Sequence, residues 1–165
     1  MQTKLKFWQE AATCVENIEF QFQTLAQVNA IVGYLEQWLP DESTVGLGLK
    51  ELMVNAIEHG NLGIGYDTKT QLLKKGVWLQ EVERRLKMPE NKQKFALLRV
   101  SFSDDEIKFI IQDEGAGFDV RKYLKAELDD DELHGRGLLL AKNLAFNSLK
   151  FRNKGRRAEA VVPLG

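Results

Sequence analysis

Residues 51–60 read Glu51-Leu52-Met53-Val54-Asn55-Ala56-Ile57-Glu58-His59-Gly60. The pattern predicts a helix, which in full runs from about Ser43 to Gly60. Glu51 and Asn55 are four apart and share one face of it, while Leu52, Met53, Ala56 and Ile57 can turn to a core. A carboxylate beside a carboxamide suits metal and water chemistry. The amide offers a neutral oxygen to a hard cation such as Mg²⁺, and the carboxylate can accept a proton. Taken alone, the same spacing also fits the polar outer face of an ordinary amphipathic helix.

Upstream, residues 17–23 alternate, with Ile18, Phe20 and Phe22 on one side, and predict a strand. Thr24 followed by Gln27 is a capping-box pattern. Leu25, Val28, Ile31, Val32, Leu35, Trp38 and Leu39 then follow at helical spacing, and Pro40 ends the run. Downstream, 61–68 reads as a loop containing Gly63 and Gly65. Residues 69–87 predict a third helix, with Leu72, Leu79, Val82 and Leu86 as its stripe and Gly76 in its middle at a cost of about 1 kcal/mol. Strands are expected at about 95–103 and 106–112, joined by Ser103-Asp104-Asp105. A further helix is expected from about Arg136 to Phe146. A last hairpin pairs 148–153 with 157–163 across Asn153-Lys154-Gly155. Hairpins with helices between them predict a mixed, mostly antiparallel sheet with helices on one face, an α/β sandwich of the α+β kind.

The chain has 165 residues, which suits one domain. Hydrophobic residues are 44% and charged ones 28%, a globular balance. Lys plus Arg number 23 and Asp plus Glu 24, a net charge of -1, so a generally basic nucleic-acid surface is not expected. Cys14 is the single cysteine and allows no internal disulfide. No stretch approaches the roughly 18 apolar residues of a membrane span. A soluble, cytoplasmic protein is the expectation.

Two further stretches carry chemistry. Asp113-Glu114-Gly115-Ala116-Gly117-Phe118-Asp119 follows an apolar strand directly. Its glycines allow close backbone approach, and an Asp at a strand end can accept a hydrogen bond from a ligand's buried amino group. A plain turn would read the same way. Gly135-Arg136-Gly137-Leu138 opens a helix, where free backbone N–H groups favour phosphate; a simple loop-to-helix junction is the alternative. Neither a Walker P-loop nor the full dinucleotide fingerprint is present.

In order and spacing, the three stretches together resemble the nucleotide-binding motifs of the GHKL superfamily, which has the Bergerat ATP-binding fold. Within it they are most similar to the anti-sigma regulatory factor class of serine/threonine protein kinases. That class reads Glu-x-x-x-Asn-Ala-x-x-His-Gly, Asp-x-Gly-x-Gly-Phe-Asp and Gly-Arg-Gly-Leu. The likeness covers about residues 16–164, with 61–94 as a helical insertion into a single domain. It implies that Asn55 coordinates Mg²⁺ bridging the ATP phosphates and that Glu51 is the general base. It implies that Asp113 binds the adenine amino group and that Gly115 and Gly117 let the chain pass close to the nucleotide. Gly135, Arg136, Gly137 and Leu138 would give backbone donors to the phosphates, and 118–134 would form a short lid. The family often has a Thr after the glycine of the last hairpin, near the adenine; here Gly155 is followed by Arg156, Arg157, Ala158 and Glu159.

The activity implied is ATP-dependent phosphorylation of a serine or threonine on a small antagonist, a STAS-domain protein, with a sigma factor as the other partner and regulation by partner switching. Family members often dimerise, but nothing in the sequence specifies an interface. A non-catalytic, ATP-binding interaction module is the second reading. A histidine-kinase catalytic domain would need a separate dimerisation hairpin, and a topoisomerase-type ATPase would need a transducer domain. His59 and His134 are assigned to neither catalysis nor zinc. Within the insertion, the stripe is expected to pack on the domain, and Trp78, lying off it, could be an exposed anchor.

Overall fold

The computed structural model describes residues 17–37, 39, 44–121, 125 and 144–164. Among these residues five strands form one sheet in the order β1-β2-β3-β5-β4: β1 (Asn17–Phe22), β2 (Ala96–Phe102), β3 (Glu106–Gln112), β4 (Ser148–Arg152) and β5 (Arg157–Pro163). Each of the four neighbouring pairs is antiparallel. The period-2 pattern explains the sheet. Ala96, Leu98, Val100 and Phe102 on β2, Ile107, Phe109 and Ile111 on β3, and Ala158, Ala160 and Val162 on β5 are all buried. Register places them in rows, Leu98 opposite Ile111 and Val100 opposite Phe109, with Phe109 opposite Ala160 on the far side. The residues between them, such as Glu19, Arg99 and Glu159, form the other, polar face.

The helices cover the apolar face. Helix α1 (Leu25–Glu36) begins at Thr24, whose side chain accepts from the Gln27 N–H at 3.2 Å while Gln27 Oε1 accepts from the Thr24 N–H at 3.0 Å. Both halves of the expected capping box are therefore made. Val28, Val32 and Leu35 are buried, and α1 packs on α2 (Val45–Asn55). Trp38 and Pro40 lie outside the described residues. The helix expected to reach Gly60 does so, but not as one α-helix. From Ala56 to Asn61 it widens to a π-helical segment, closed by Leu62 N–H donating to Ile57 O at 2.9 Å. Such segments are usually single turns held by their surroundings.

The single helix expected over 69–87 is instead two, α3 (Tyr66–Lys74) and α4 (Trp78–Leu86). Gly76 is the cause. It takes φ +66, a left-handed geometry that ends α3, and its N–H and that of Val77 donate to Leu73 O and Leu72 O. The break rotates α4 relative to the predicted stripe. Val82 stays buried and Leu72 and Leu86 pack on the core, but Leu79 is 49% exposed. The final hairpin matches its expectation, with Asn153, Lys154 and Gly155 all at positive φ. The helix expected from Arg136 to Phe146 lies almost wholly outside the described residues. Among the described residues no helix is long and apolar enough to cross a membrane.

Phe109, fully buried on the central strand, is expected to carry much of the core. Phe109→Ala should cost about 3–5 kcal/mol in urea unfolding, and Thr24→Ala about 1 kcal/mol.

Candidate functional site

The site forms where α2 and its π-helical continuation meet the end of β3. Asn55 is the last residue of α2 and only 5% exposed. Its Nδ2 is buried without a hydrogen-bond partner among the described residues. Such an orphan costs about 1–3 kcal/mol unless a bound group satisfies it. Glu51 sits one turn earlier and is half-buried. Burial pushes its carboxyl up from the ordinary value. Lys69 opposes this, Glu58 adds to it, and Lys50 opposes it more weakly.

Asp113 enters from the other side. Its N–H donates to Arg156 O at 3.0 Å, extending the β3–β5 ladder by one bond beyond the strand. Its Oδ1 accepts from the Gly115 N–H at 2.8 Å, and the residue is 5% exposed. Burial raises its pKa to about 6, against the pull of the Gly115 N–H and the Arg156 charge. Asn55, Asp113, Ile111, Phe118 and Arg156 line one cleft with Leu52 and Ala56. The structure thus brings Asn55 and Asp113 to one cavity, with Glu51 a turn away from Asn55.

The glycines act chiefly on the chain itself. A Cβ on Gly60 would lie 2.3 Å from Asp113 Cγ, and one on Gly115 would lie 2.0 Å from Gly60 O. Neither position can take a side chain without moving the Asp113 loop off the helix. A Cβ on Gly117, which takes φ +87, would lie 2.4 Å from Lys154 O. Gly135, Arg136, Gly137 and Leu138, the expected phosphate donors, lie outside the described residues, as do His134 and most of the expected lid.

Several contributors were not assigned roles from the sequence. Asn61, 4% exposed, accepts the Glu114 N–H at 2.8 Å through Oδ1, and its Nδ2 has no partner among the described residues. Its place just after the helix was the only signal available. Arg156, one residue past the hairpin glycine, faces Asp113. Glu58 is fully buried, ion-paired with Lys69 Nζ at 2.6 Å and hydrogen-bonded by the Trp78 indole N–H. Trp78 is therefore no exposed anchor; it is half-buried and held. No motif spacing connects Glu58 to residues 11 and 20 positions away. His59 is 7% exposed, its Nδ1 contacts Ile64 O, and its ring leans on Phe118. A carbonyl only accepts, so Nδ1 carries the proton. Burial first and the Lys69 charge second lower its pKa to about 4. It is packed as a neutral ring, and its contribution to stability is lost as pH falls from 6.5 toward 4.

A sequence profile of the histidine kinase-like ATPase domain matches residues 22–161 of the chain. No curated protein matches it.

The raised pKa of Asp113 has a sign that can be tested. Its carboxylate is ionised at a cost in the folded state above about pH 6, and the cost disappears below its ordinary value of 3.8. Asp113→Asn is therefore expected to stabilise the free protein at pH 7 by about 1 kcal/mol, with the gain shrinking as pH falls, read from thermal midpoints across pH. Gly60→Ala should act oppositely, lowering stability by about 1–3 kcal/mol through overpacking.

Proposed function

The chain belongs to the histidine kinase-like ATPase domain family, and on that premise we propose that it is an anti-sigma-factor-like serine/threonine protein kinase. In this reading it binds ATP with Mg²⁺ and phosphorylates a hydroxyl on a small antagonist, a STAS-domain protein, so regulating by partner switching with a sigma factor. The observation that carries the reading is the pairing of two groups on one helix end. A buried Asn55 with an unpartnered amide lies one turn from a Glu51 carboxyl whose affinity for protons is raised.

The residues fit such a ligand. The unpartnered Asn55 Nδ2 is a donor that a phosphate oxygen of the ligand would satisfy, and the side-chain oxygen is the atom that would face a metal. The buried Asp113 carboxylate lines a cleft together with the apolar Leu52, Ala56 and Ile111. Among the described residues no group of three or more His, Cys, Asp or Glu could hold a metal. A cation here would share Asn55 with the substrate's own oxygens, as Mg²⁺ commonly does. When bound, ATP supplies the phosphoryl group and Mg²⁺ offsets the charge on its oxygens.

The chain's residues then divide the work. Asp113 accepts a hydrogen bond from the base's amino group and orients it against Ile111 and Phe118. Asn55 would hold the metal through its side-chain oxygen. Glu51 takes the proton from the acceptor hydroxyl as its oxygen bonds to phosphorus and the bond to the leaving diphosphate breaks. A carboxylate with a raised pKa is a stronger base than one in water and so is suited to this step. Positioning and charge neutralisation supply most of what phosphoryl transfer needs.

The second reading is an ATP-binding interaction module that moves no phosphate. Val77 and Leu79, both exposed at the turn of the insertion, favour it, because exposed apolar pairs suit protein docking.

Calorimetric titration of ATP with Mg²⁺ should show binding by the wild type and none by Asp113→Ala. Glu51→Ala should keep ATP binding and lose transfer to a STAS-domain substrate by a factor of roughly 10² or more. Transfer retained in Glu51→Ala overturns the base assignment. ATP binding without transfer by the wild type favours the interaction module.

A further inference from the structure

The π-helical segment Ala56–Asn61 is gripped from two sides. On one side it meets the Asp113 loop: Gly60 lies against the Asp113 carboxyl, and Asn61 Oδ1 accepts the Glu114 N–H at 2.8 Å. On the other it meets the insertion. Glu58 takes Lys69 Nζ from α3 and the Trp78 indole from the start of α4. Arg85 Nη1 donates to Leu62 O at 2.9 Å and Gly63 O at 3.1 Å, and Lys94 Nζ donates to Asn61 O at 3.1 Å.

The Glu58 carboxylate is the unusual member. It is 0% exposed, and Lys69 is only 14% exposed. Burying an ion pair is a poor route to stability, since an apolar pair of the same volume does as well or better. What the pair does provide is direction. One oxygen is committed to Lys69 and the other to Trp78, so the carboxylate is fixed from two elements at once. A π-helical turn has no strong intrinsic preference for its own geometry, so it depends on such external ties. Glu58 is two residues from Gly60 and three from Asn61, the residues that touch the Asp113 loop.

We propose that Glu58, Lys69 and Trp78 are positioning residues for the nucleotide site, acting through Gly60 and Asn61 on the Asp113 loop. The insertion is then a working part of the site rather than an appendage. Its docking and the occupancy of the Asp113 cleft are linked equilibria, each favouring the other. This inference rests on the reading that Asp113 holds a nucleotide, and its test is built to separate the two.

The test uses the full chain and the variant Glu58→Gln/Lys69→Met, which removes both buried charges together and leaves an acceptor for the Trp78 indole. Calorimetry with ATP and Mg²⁺ is expected to show roughly 5- to 100-fold weaker binding. In the free protein, hydrogen exchange of the Glu114 and Gly115 amides is expected to quicken, while that of Phe109 on β3 changes little. A core variant elsewhere, Val32→Ala in α1, serves as the control for general loss of stability and should leave the ratio of these rates unchanged. If the double variant does not fold, Trp78→Phe, which keeps the ion pair and removes one donor, is read in the same two ways with a smaller effect expected. Wild-type ATP affinity together with unchanged Glu114 and Gly115 protection overturns the proposal. If the wild type binds no ATP, the nucleotide reading fails, and the amide exchange of the free protein decides this inference alone.

Discussion

The contact between Gly60 and the Asp113 carboxyl is the constraint on which the rest of the site depends. A helix end and a strand end approach so closely that a single methyl group would not fit between them. That approach places the buried Asp113 carboxylate in the lining of one cleft together with Asn55. It also forces Gly115 over the Gly60 carbonyl, after which the Phe118 N–H returns to Lys154 O at 2.8 Å and its ring meets Phe151. The sheet's role is to deliver Asp113 to this point. β3 is central, paired on both sides, and its buried row of Ile107, Phe109 and Ile111 leaves no freedom in where the strand ends.

Around this contact the seam between helix and strand is unusually polar for a buried place. Asn55, Glu58, His59, Asn61 and Asp113 are all buried. Among the described residues the rest of the buried set, Asn91 apart, is aliphatic and aromatic. Some of these groups are fully engaged, Glu58 by a cation and an indole, His59 by a backbone carbonyl. Others are not: two amide nitrogens lack partners among the described residues, and Asp113 is a carboxyl held against its preference. Unmet polar capacity in an otherwise well-packed domain marks the place where stability is given up for binding. Glu58 faces Lys69 of α3 and Trp78 of α4, whereas Asp113 and the unpartnered Asn55 line one cleft.

Much of the fold was legible from periodicity. The alternation of β1, β2, β3 and β5, the Thr24–Gln27 capping box and the Asn153-Lys154-Gly155 turn are local features, written in residues two to four apart. The antiparallel sheet with helices on one face followed from them. Two readings failed for a local reason seen too weakly. Helical spacing alone tolerates Gly76 inside one helix, whereas in the structure its left-handed geometry lets α3 stop and α4 start in a new direction. With that change of register, Leu79 left the apolar stripe and Trp78 came in toward Glu58.

Sequence by itself determined which residue types stand where: the Glu51–Asn55 spacing on one helix face, and an Asp at the end of an apolar strand followed by glycines. These are properties of a few neighbouring residues, and helical and strand periods are enough to predict how they are presented. Tertiary structure alone decided what those residues meet. That Gly60 seats Asp113, that Glu58 is ion-paired with Lys69 and that Arg85 of α4 caps the carbonyls of Leu62 and Gly63 are contacts between elements apart in the chain. No period encodes them. They arise only when packing brings the helix, strand and insertion together and burial makes each polar group find, or lack, a partner.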